Sequence, residues 1–229
     1  MRLQKNVNTW RSAINTITLI RRNISGSISE IGGGSGNLKE FFSDEISSDV
    51  LFVPWFDEAL DAHRLPFHYK IFDNIILFDV LHHLHDPVRF FYESRKVLNT
   101  KGRIFLMEPY VSLASFFIYR FFHTKDLIWN INPLNKKGWG KDQKYVYANQ
   151  AIPSLIFERF NHQFVNKFPQ LNIIKKERTD FVIYPLSDGF HHPSLCPIVL
   201  YSTLEYLEKL SRPLNRLLAF HIFVVLEKT

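Results

Sequence analysis

Cysteine is almost missing. Cys196 is the only one in 229 residues, so no internal disulfide can staple this fold, and a reducing compartment is expected. Beside Pro197 in an apolar stretch, that cysteine reads as packed rather than nucleophilic. Long apolar runs are missing too: the nearest, Val111 to Ile118, stops at Tyr119-Arg120, well short of the roughly 20 residues a membrane span needs. The basic segment Met1 to Arg22 lacks the apolar core and small-residue cleavage site of a secretory signal, so a cytoplasmic location is expected. Lys and Arg outnumber Asp and Glu by 28 to 22, a net charge of +6, yet no basic stripe forms. The cations are scattered as Arg21-Arg22, Lys136-Lys137 and Lys175-Lys176, without interleaved stacking aromatics, so no nucleic-acid partner is expected. At most peripheral membrane contact, and a monomer or dimer, are expected. Glycine is scarce as well, and four of its nine copies fall within five residues, Gly32, Gly33, Gly34 and Gly36.

What the chain does have is apolar mass. Hydrophobic residues make up 46% and aromatics 15%, with 22 phenylalanines, which is a globular composition able to bury one sizeable core. A single domain over residues 1–229 is the expectation, with an N-terminal helical segment over 1–26. The hydrophobic period switches repeatedly between strand-like and helix-like, the pattern of an α/β fold. Strands are expected at Ile28 to Ile31, Glu45 to Val50, Phe56 to Leu60, Phe72 to Phe78 and Arg103 to Met107. The continuous apolar run "FDNIILF" suits a strand buried on both faces of a parallel sheet. Asn37 to Phe42 resumes with helix formers after the glycines. Pro87 to Leu98 is a predicted helix with Asp86 as N-cap and Pro87 at its first position, closed by Lys101-Gly102. Beyond Tyr110 the pattern changes: 110–150 reads as an aromatic, irregular insertion, either a substrate lid or packing on the sheet. A helix over Pro153 to Phe168, strands at Asn172 to Lys176 and Phe220 to Leu226, and a helix around Ser202 to Leu210 complete the prediction.

The glycine cluster sits between a predicted strand and a helix, where bare backbone lets a ligand approach closely and free N–H groups can meet polar or anionic atoms. A phosphate-binding loop needs Gly-Lys-Ser/Thr, and here Gly36 is followed by Asn37-Leu38-Lys39. The dinucleotide fingerprint needs a third glycine where Asn37 stands. What fits is acid-x-Gly-x-Gly-x-Gly, formed by Glu30, Gly32, Gly34 and Gly36. About 20 residues beyond such a loop, a nucleoside-binding α/β fold carries an acid for ribose hydroxyls, and Asp49 stands there. Asp61 follows the third strand and Asp79 the fourth, so Glu30, Asp49, Asp61 and Asp79 are expected to converge on one crevice at the strand ends.

These stretches, "SEIGGGSG", "SSDV", "LDAHRLPF", "FDNIILFDVLHHL" and "LNTKGRIFLMEP", in this order, resemble the class I S-adenosylmethionine-dependent methyltransferases, and among them the small-molecule group described as methyltransferase type 11. The closing "FHIFVVLEKT" is similar to that family's final antiparallel strand. The resemblance implies a Rossmann-like α/β fold: a seven-stranded, mostly parallel sheet with one antiparallel strand and helices on both faces. It implies S-adenosyl-L-methionine as cofactor and S-adenosyl-L-homocysteine as product. By the same resemblance, Glu30 and the loop Gly32, Gly33, Gly34 and Gly36 hold the cofactor's amino acid part. Asp49 takes the ribose hydroxyls, Val50 flanks the adenine, and Asp61 with Ala62 meets its amino group. Asp79 and His82 lie near the methyl group. The chain between Asp49 and Asp61 is too short for the family's usual second helix, which leaves the adenine wall to Pro54, Trp55 and the nearby loop.

Methyl transfer from a sulfonium is an in-line displacement in which the protein supplies alignment, desolvation and, for a hydroxyl acceptor, a base. His82 and His83 are the candidate bases, since an imidazole titrates near neutrality; either ring could instead pack or cap the next helix. His82, His83, His85, Asp86 and His191-His192 match no metal-ligand spacing, so no metal is expected. Tyr110, His123 and Trp129 are the candidate acceptor-binding residues in the insertion. A catalytically silent S-adenosylmethionine-binding protein, or a non-methylating enzyme on the same fold, satisfies the same residues.

Overall fold

The computed structural model describes residues 17, 20–21, 24–34, 38–42, 45–122, 125–135, 148–181 and 201–229. Gly36, His123, Cys196, His191-His192 and most of the expected N-terminal segment lie outside the described residues.

Seven strands form one sheet: β1 (Ile28–Ile31), β2 (Glu45–Asp49), β3 (Glu58–Ala59), β4 (Phe72–Phe78), β5 (Leu98–Pro109), β6 (Leu171–Thr179) and β7 (His221–Lys228). Their spatial order is β3-β2-β1-β4-β5-β7-β6. β3, β2, β1, β4 and β5 pair in parallel, while β7 runs antiparallel to both β5 and β6. β1 therefore sits where the sheet winds outward in both directions, the place at which an open parallel sheet leaves a crevice beyond its strand ends.

The alternation within β4 shows why the sheet is buried on both sides. Ile75 and Leu77 join one core with Phe90, Phe91, Phe157, Phe164 and Phe168, while Ile76 joins a second with Ile17, Ile20, Leu38, Phe105 and Phe223. The first core contains a cluster of phenylalanines: Phe91 lies with its ring centroid 5.0 Å from that of Phe164 and 5.4 Å from that of Phe168. Burying each such ring contributes about 1.5–3 kcal/mol, before any gain from edge-on ring geometry.

Helix α1 (Pro87–Val97) starts as its sequence dictates. Asp86 accepts a hydrogen bond from the Arg89 N–H at 2.9 Å, and Pro87, which has no N–H to satisfy, stands in the first turn. Its end differs from expectation: no loop follows. Leu98 already pairs with Phe72, and Lys101-Gly102 lies inside β5, where the register shifts and Lys101 takes a φ of 65°. The insertion holds a helix that was not expected, α2 (Leu113–Phe122), and among the described residues after the glycines there is only the 3-10 turn Leu38–Glu40. The stretch predicted as one helix is split into α3 (Ile152–Ser154), a π turn (Leu155–Arg159) and α4 (Asn161–Lys167). Near the end come α5 (Tyr201–Leu210), a 3-10 turn (Arg212–Leu214) and α6 (Asn215–Leu218). No helix among the described residues is long and apolar enough to cross a membrane.

Candidate functional site

The glycine loop leaves β1 and turns at once. Gly32 and Gly34 have φ of 74° and 55°, a region that costs a residue with a Cβ energy. A Cβ on Gly32 would lie 2.5 Å from Val80 Cγ2, so this glycine lets the loop seat against the chain leaving β4. A Cβ on Gly33 would lie 2.6 Å from Glu30 Oε2 and 2.7 Å from Phe56, which places the Glu30 carboxylate against the loop. At Gly34 the position of a Cβ has no neighbour within 4 Å among the described residues, so there the loop is open.

Asp49 ends β2 and faces that opening. Its Oδ2 accepts a hydrogen bond from the Gly34 N–H at 3.1 Å, and its Oδ1 accepts from the Leu51 N–H at 3.0 Å. Each oxygen keeps lone-pair capacity for a ligand hydroxyl. The Trp55 indole N–H donates to the Gly34 carbonyl at 3.4 Å, which ties the aromatic loop after β2 to the glycines. Leu51 and Phe52 are exposed beside them, and Val50 is half-buried.

Asp61 lies just past β3. Its Oδ1 accepts from both the backbone N–H and the ring Nδ1 of His63, at 2.9 and 2.6 Å. Burial alone would raise its pKa, but those bonds and the neighbouring His63 and His85 outweigh burial and hold it below the usual range. The Ala62 side chain is buried in the core, so only its main chain can meet a ligand.

Asp79 directly follows β4 with a φ of 56°, its carboxylate exposed at the strand end and 3.4 Å from the His221 Nε2. The other nitrogen of His221 lies 3.0 Å from the Asp180 carboxylate, and Asp180 also holds a left-handed φ of 62°. Burial opposes a charge on this ring, but the two carboxylates overcome it and raise the His221 pKa to about 10. Two acids at the ends of β4 and β6 thus clamp one buried imidazolium at the start of β7.

His82 is fully buried in the 3-10 turn Leu81–His83. Its Nδ1 lies 2.9 Å from Glu108 Oε2, while Glu108 Oε1 accepts the N–H groups of Val80 and Leu81. Burial pushes His82 down to about 3 and Glu108 up to about 8, so His82 is neutral at physiological pH. His83 is half-buried beside it, with the Lys125 amine 2.7 Å from its Nε2, and burial lowers the pKa of that lysine. Asn149 joins the insertion to this turn: its N–H donates to the His82 carbonyl, and its side chain bonds both the N–H and the carbonyl of Ile128.

The structure thus brings together the expected Glu30, Gly32, Gly33, Gly34 and Asp49, with Asp79, His82 and His83 at the neighbouring strand end. Tyr110 is in the core, with the Arg178 guanidinium 5.1 Å from its ring centre. Trp129 is part-exposed on the insertion, and its carbonyl accepts from Arg159. Glu108, Lys125, Asn149, Asp180 and His221 are additions that the sequence reading lacks. A signal existed only for Glu108, an acid inside the apolar run "IFLMEP". Among the described residues no group of three or more His, Cys, Asp or Glu could hold a metal ion.

Residues 37–106 match a family model described as a methyltransferase domain. No curated protein sequence matches the chain. Among solved structures, an S-adenosylmethionine-dependent methyltransferase from Thermotoga maritima is similar at TM-score 0.56 and 12% identity, covering 97% of this chain and 92% of that one. The YcgJ protein from Bacillus subtilis is similar at TM-score 0.53 and 15% identity, covering 94% and 98%. An S-adenosylmethionine-dependent methyltransferase from Archaeoglobus fulgidus is similar at TM-score 0.51 and 15% identity, covering 95% of each chain. In the order and direction of its strands, and in the matched stretch that begins just after the glycine loop and runs into β5, the chain carries the class I methyltransferase fold.

Proposed function

We propose that this chain is an S-adenosylmethionine-dependent methyltransferase acting on a small-molecule acceptor in the cytoplasm. The observation that carries the reading is the open cradle at Gly34 facing the Asp49 carboxylate, one of whose oxygens holds the loop while both still have capacity for ribose hydroxyls. The methyltransferase-domain match indicates the cofactor, which when bound supplies an electrophilic methyl group on a sulfonium. Glu30 and the glycine loop would hold its amino acid part. Asp61 and the exposed Leu51, Phe52 and Trp55 would flank the base. The acids that line these strand ends, Glu30, Asp49, Asp61 and Asp79, give the crevice the negative field that a cationic nucleoside requires.

His82 acts here as a hydrogen-bonding group, because a ring held neutral by burial, with one nitrogen engaged by Glu108, is a weak proton acceptor. Where the acceptor needs a base, His83 with Lys125 is the pair placed to move the proton. Tyr110 supports this region from the core, and Trp129 on the insertion is the residue available to an acceptor. Calorimetry with S-adenosylmethionine and S-adenosylhomocysteine tests the cofactor assignment. Asp49→Ala removes charge-assisted acceptors and is expected to weaken binding roughly tenfold or more. An unchanged dissociation constant would refute the ribose assignment. Labelled-methyl transfer over candidate small molecules then tests turnover.

A further inference from the structure

Apart from Ser115 and Arg120, helix α2 is apolar or aromatic around its circumference, close to the composition of a buried helix. Only one side is buried: Ser115 and Tyr119 face inward, and the Tyr119 hydroxyl donates to the Phe220 carbonyl at 2.7 Å. The opposite row, Leu113, Phe117 and Phe121 at a spacing of one turn, is exposed, Phe121 to 70%. α2 packs against α6, and the α5-to-α6 stretch carries a second row, Leu210, Leu214 and Leu217, with Leu210 exposed to 64%. Single exposed leucines need no explanation, but two rows on adjoining elements form a patch of the kind that marks an interaction surface.

The charges around these rows select the partner. Arg120 on α2, Arg212 in the turn and Arg216 on α6 are exposed, and none of these three elements contains an acid. Lys209 is exposed on α5, whose two acids are Glu205 and Glu208, the latter accepting the Phe181 N–H. Exposed phenylalanine and leucine flanked by arginine and lysine suit the boundary between headgroups and acyl chains of an anionic bilayer. We infer that this face of α2, α5 and α6 docks the protein on an anionic lipid surface. α2 begins shortly after the end of β5 at Pro109, and α6 ends shortly before His221, which pairs with Asp79. The elements that carry the docked face therefore adjoin the strand ends of the candidate site, which suits an amphiphilic acceptor drawn from the bilayer. That role for the acceptor rests on the methyltransferase reading; the docking does not.

Co-sedimentation tests it, with vesicles of phosphatidylcholine alone and of phosphatidylcholine mixed with phosphatidylglycerol. The wild-type chain is expected to pellet with the anionic vesicles only and to be released by raised salt. The double variant Phe117→Ser with Phe121→Ser is expected to lose at least about tenfold in partitioning, and Arg212→Glu with Arg216→Glu to abolish the preference for anionic vesicles. Circular dichroism confirms that each variant is folded. Absence of wild-type binding to both vesicles, or undiminished binding by the phenylalanine variant, overturns the inference. So does a self-associated wild-type chain that the phenylalanine variant renders monomeric. Calorimetry with S-adenosylhomocysteine, run without vesicles, separates the two readings: vesicle binding without nucleoside binding sinks the cofactor assignment alone, and the converse sinks the docking alone.

Discussion

Gly32 and Gly34 share a left-handed backbone, yet an added methyl group meets different surroundings at each. At Gly32 it meets both the φ penalty and Val80 at 2.5 Å, so Gly32→Ala is expected to cost about 2 kcal/mol or more in a urea melt. At Gly34 it meets open space, so Gly34→Ala is expected to cost only about 1 kcal/mol, the backbone penalty, and to act chiefly on cofactor binding. Equal losses of stability in the two variants would mean that the loop is not seated on Val80. Glu45 gives a pH-dependent case. It is buried at the start of β2, and burial, then the charge of Glu30, raises its pKa to about 8 from 4.5. The folded state thus holds this proton where the unfolded chain has released it, so stability falls as pH rises from about 4.5 to 8. Glu45→Gln is expected to flatten part of that fall in denaturation curves taken across the window; Glu108 shares the window and leaves the remainder. Asp49 was legible in the sequence because the distance along the chain from the loop to the end of the next strand is set by strand and turn lengths. Glu108 showed only as an acid inside an apolar run, its partner His82 being supplied by the fold, and His221 not at all, because both its acids are brought up by the fold.

Elements with a local signal were legible as elements. α1 announces itself through Asp86, Pro87 and apolar residues at helical spacing, and its cap is made within the segment. Its core side joins Phe91 to Phe157, Phe164 and Phe168, so Phe91→Ala is expected to cost ~3–5 kcal/mol, read as a drop in the denaturation midpoint. A loss under 1 kcal/mol would show that these rings close over the gap. α2 was not legible, and the reason is physical: "LASFFIYRFF" is apolar or aromatic apart from Ser115 and Arg120, so it shows neither strand alternation nor an amphipathic stripe. The split between α3 and α4 escaped for a related reason. A π turn keeps Leu155, Ile156 and Phe157 all buried, and one inserted residue barely disturbs an apolar pattern already dense with phenylalanine.

At the scale of the whole molecule, the parallel half of the sheet follows from chain order, but the other half does not. β7 inserts between β5 and β6 although β6 precedes it, a pairing that no local pattern encodes; the resemblance of "FHIFVVLEKT" to a final antiparallel strand carried that expectation. This insertion brings His221 to the ends of β4 and β6, where its ring is held between Asp79 and Asp180. The folded ring keeps its proton to about pH 10 against an ordinary 6.5, so its contribution is full below about 6.5 and is lost as pH rises through about 10. His221→Phe removes that charge and leaves Asp180 buried without its cation, a loss expected to cost ~3 kcal/mol at pH 6. The penalty is expected to shrink as pH approaches 10, because the wild-type clamp is then failing too. Urea denaturation of both proteins at pH 6, 8 and 10 measures it. A difference that stays constant across the three would show that the ring contributes packing alone and that the strand ends around the site are not held by its charge.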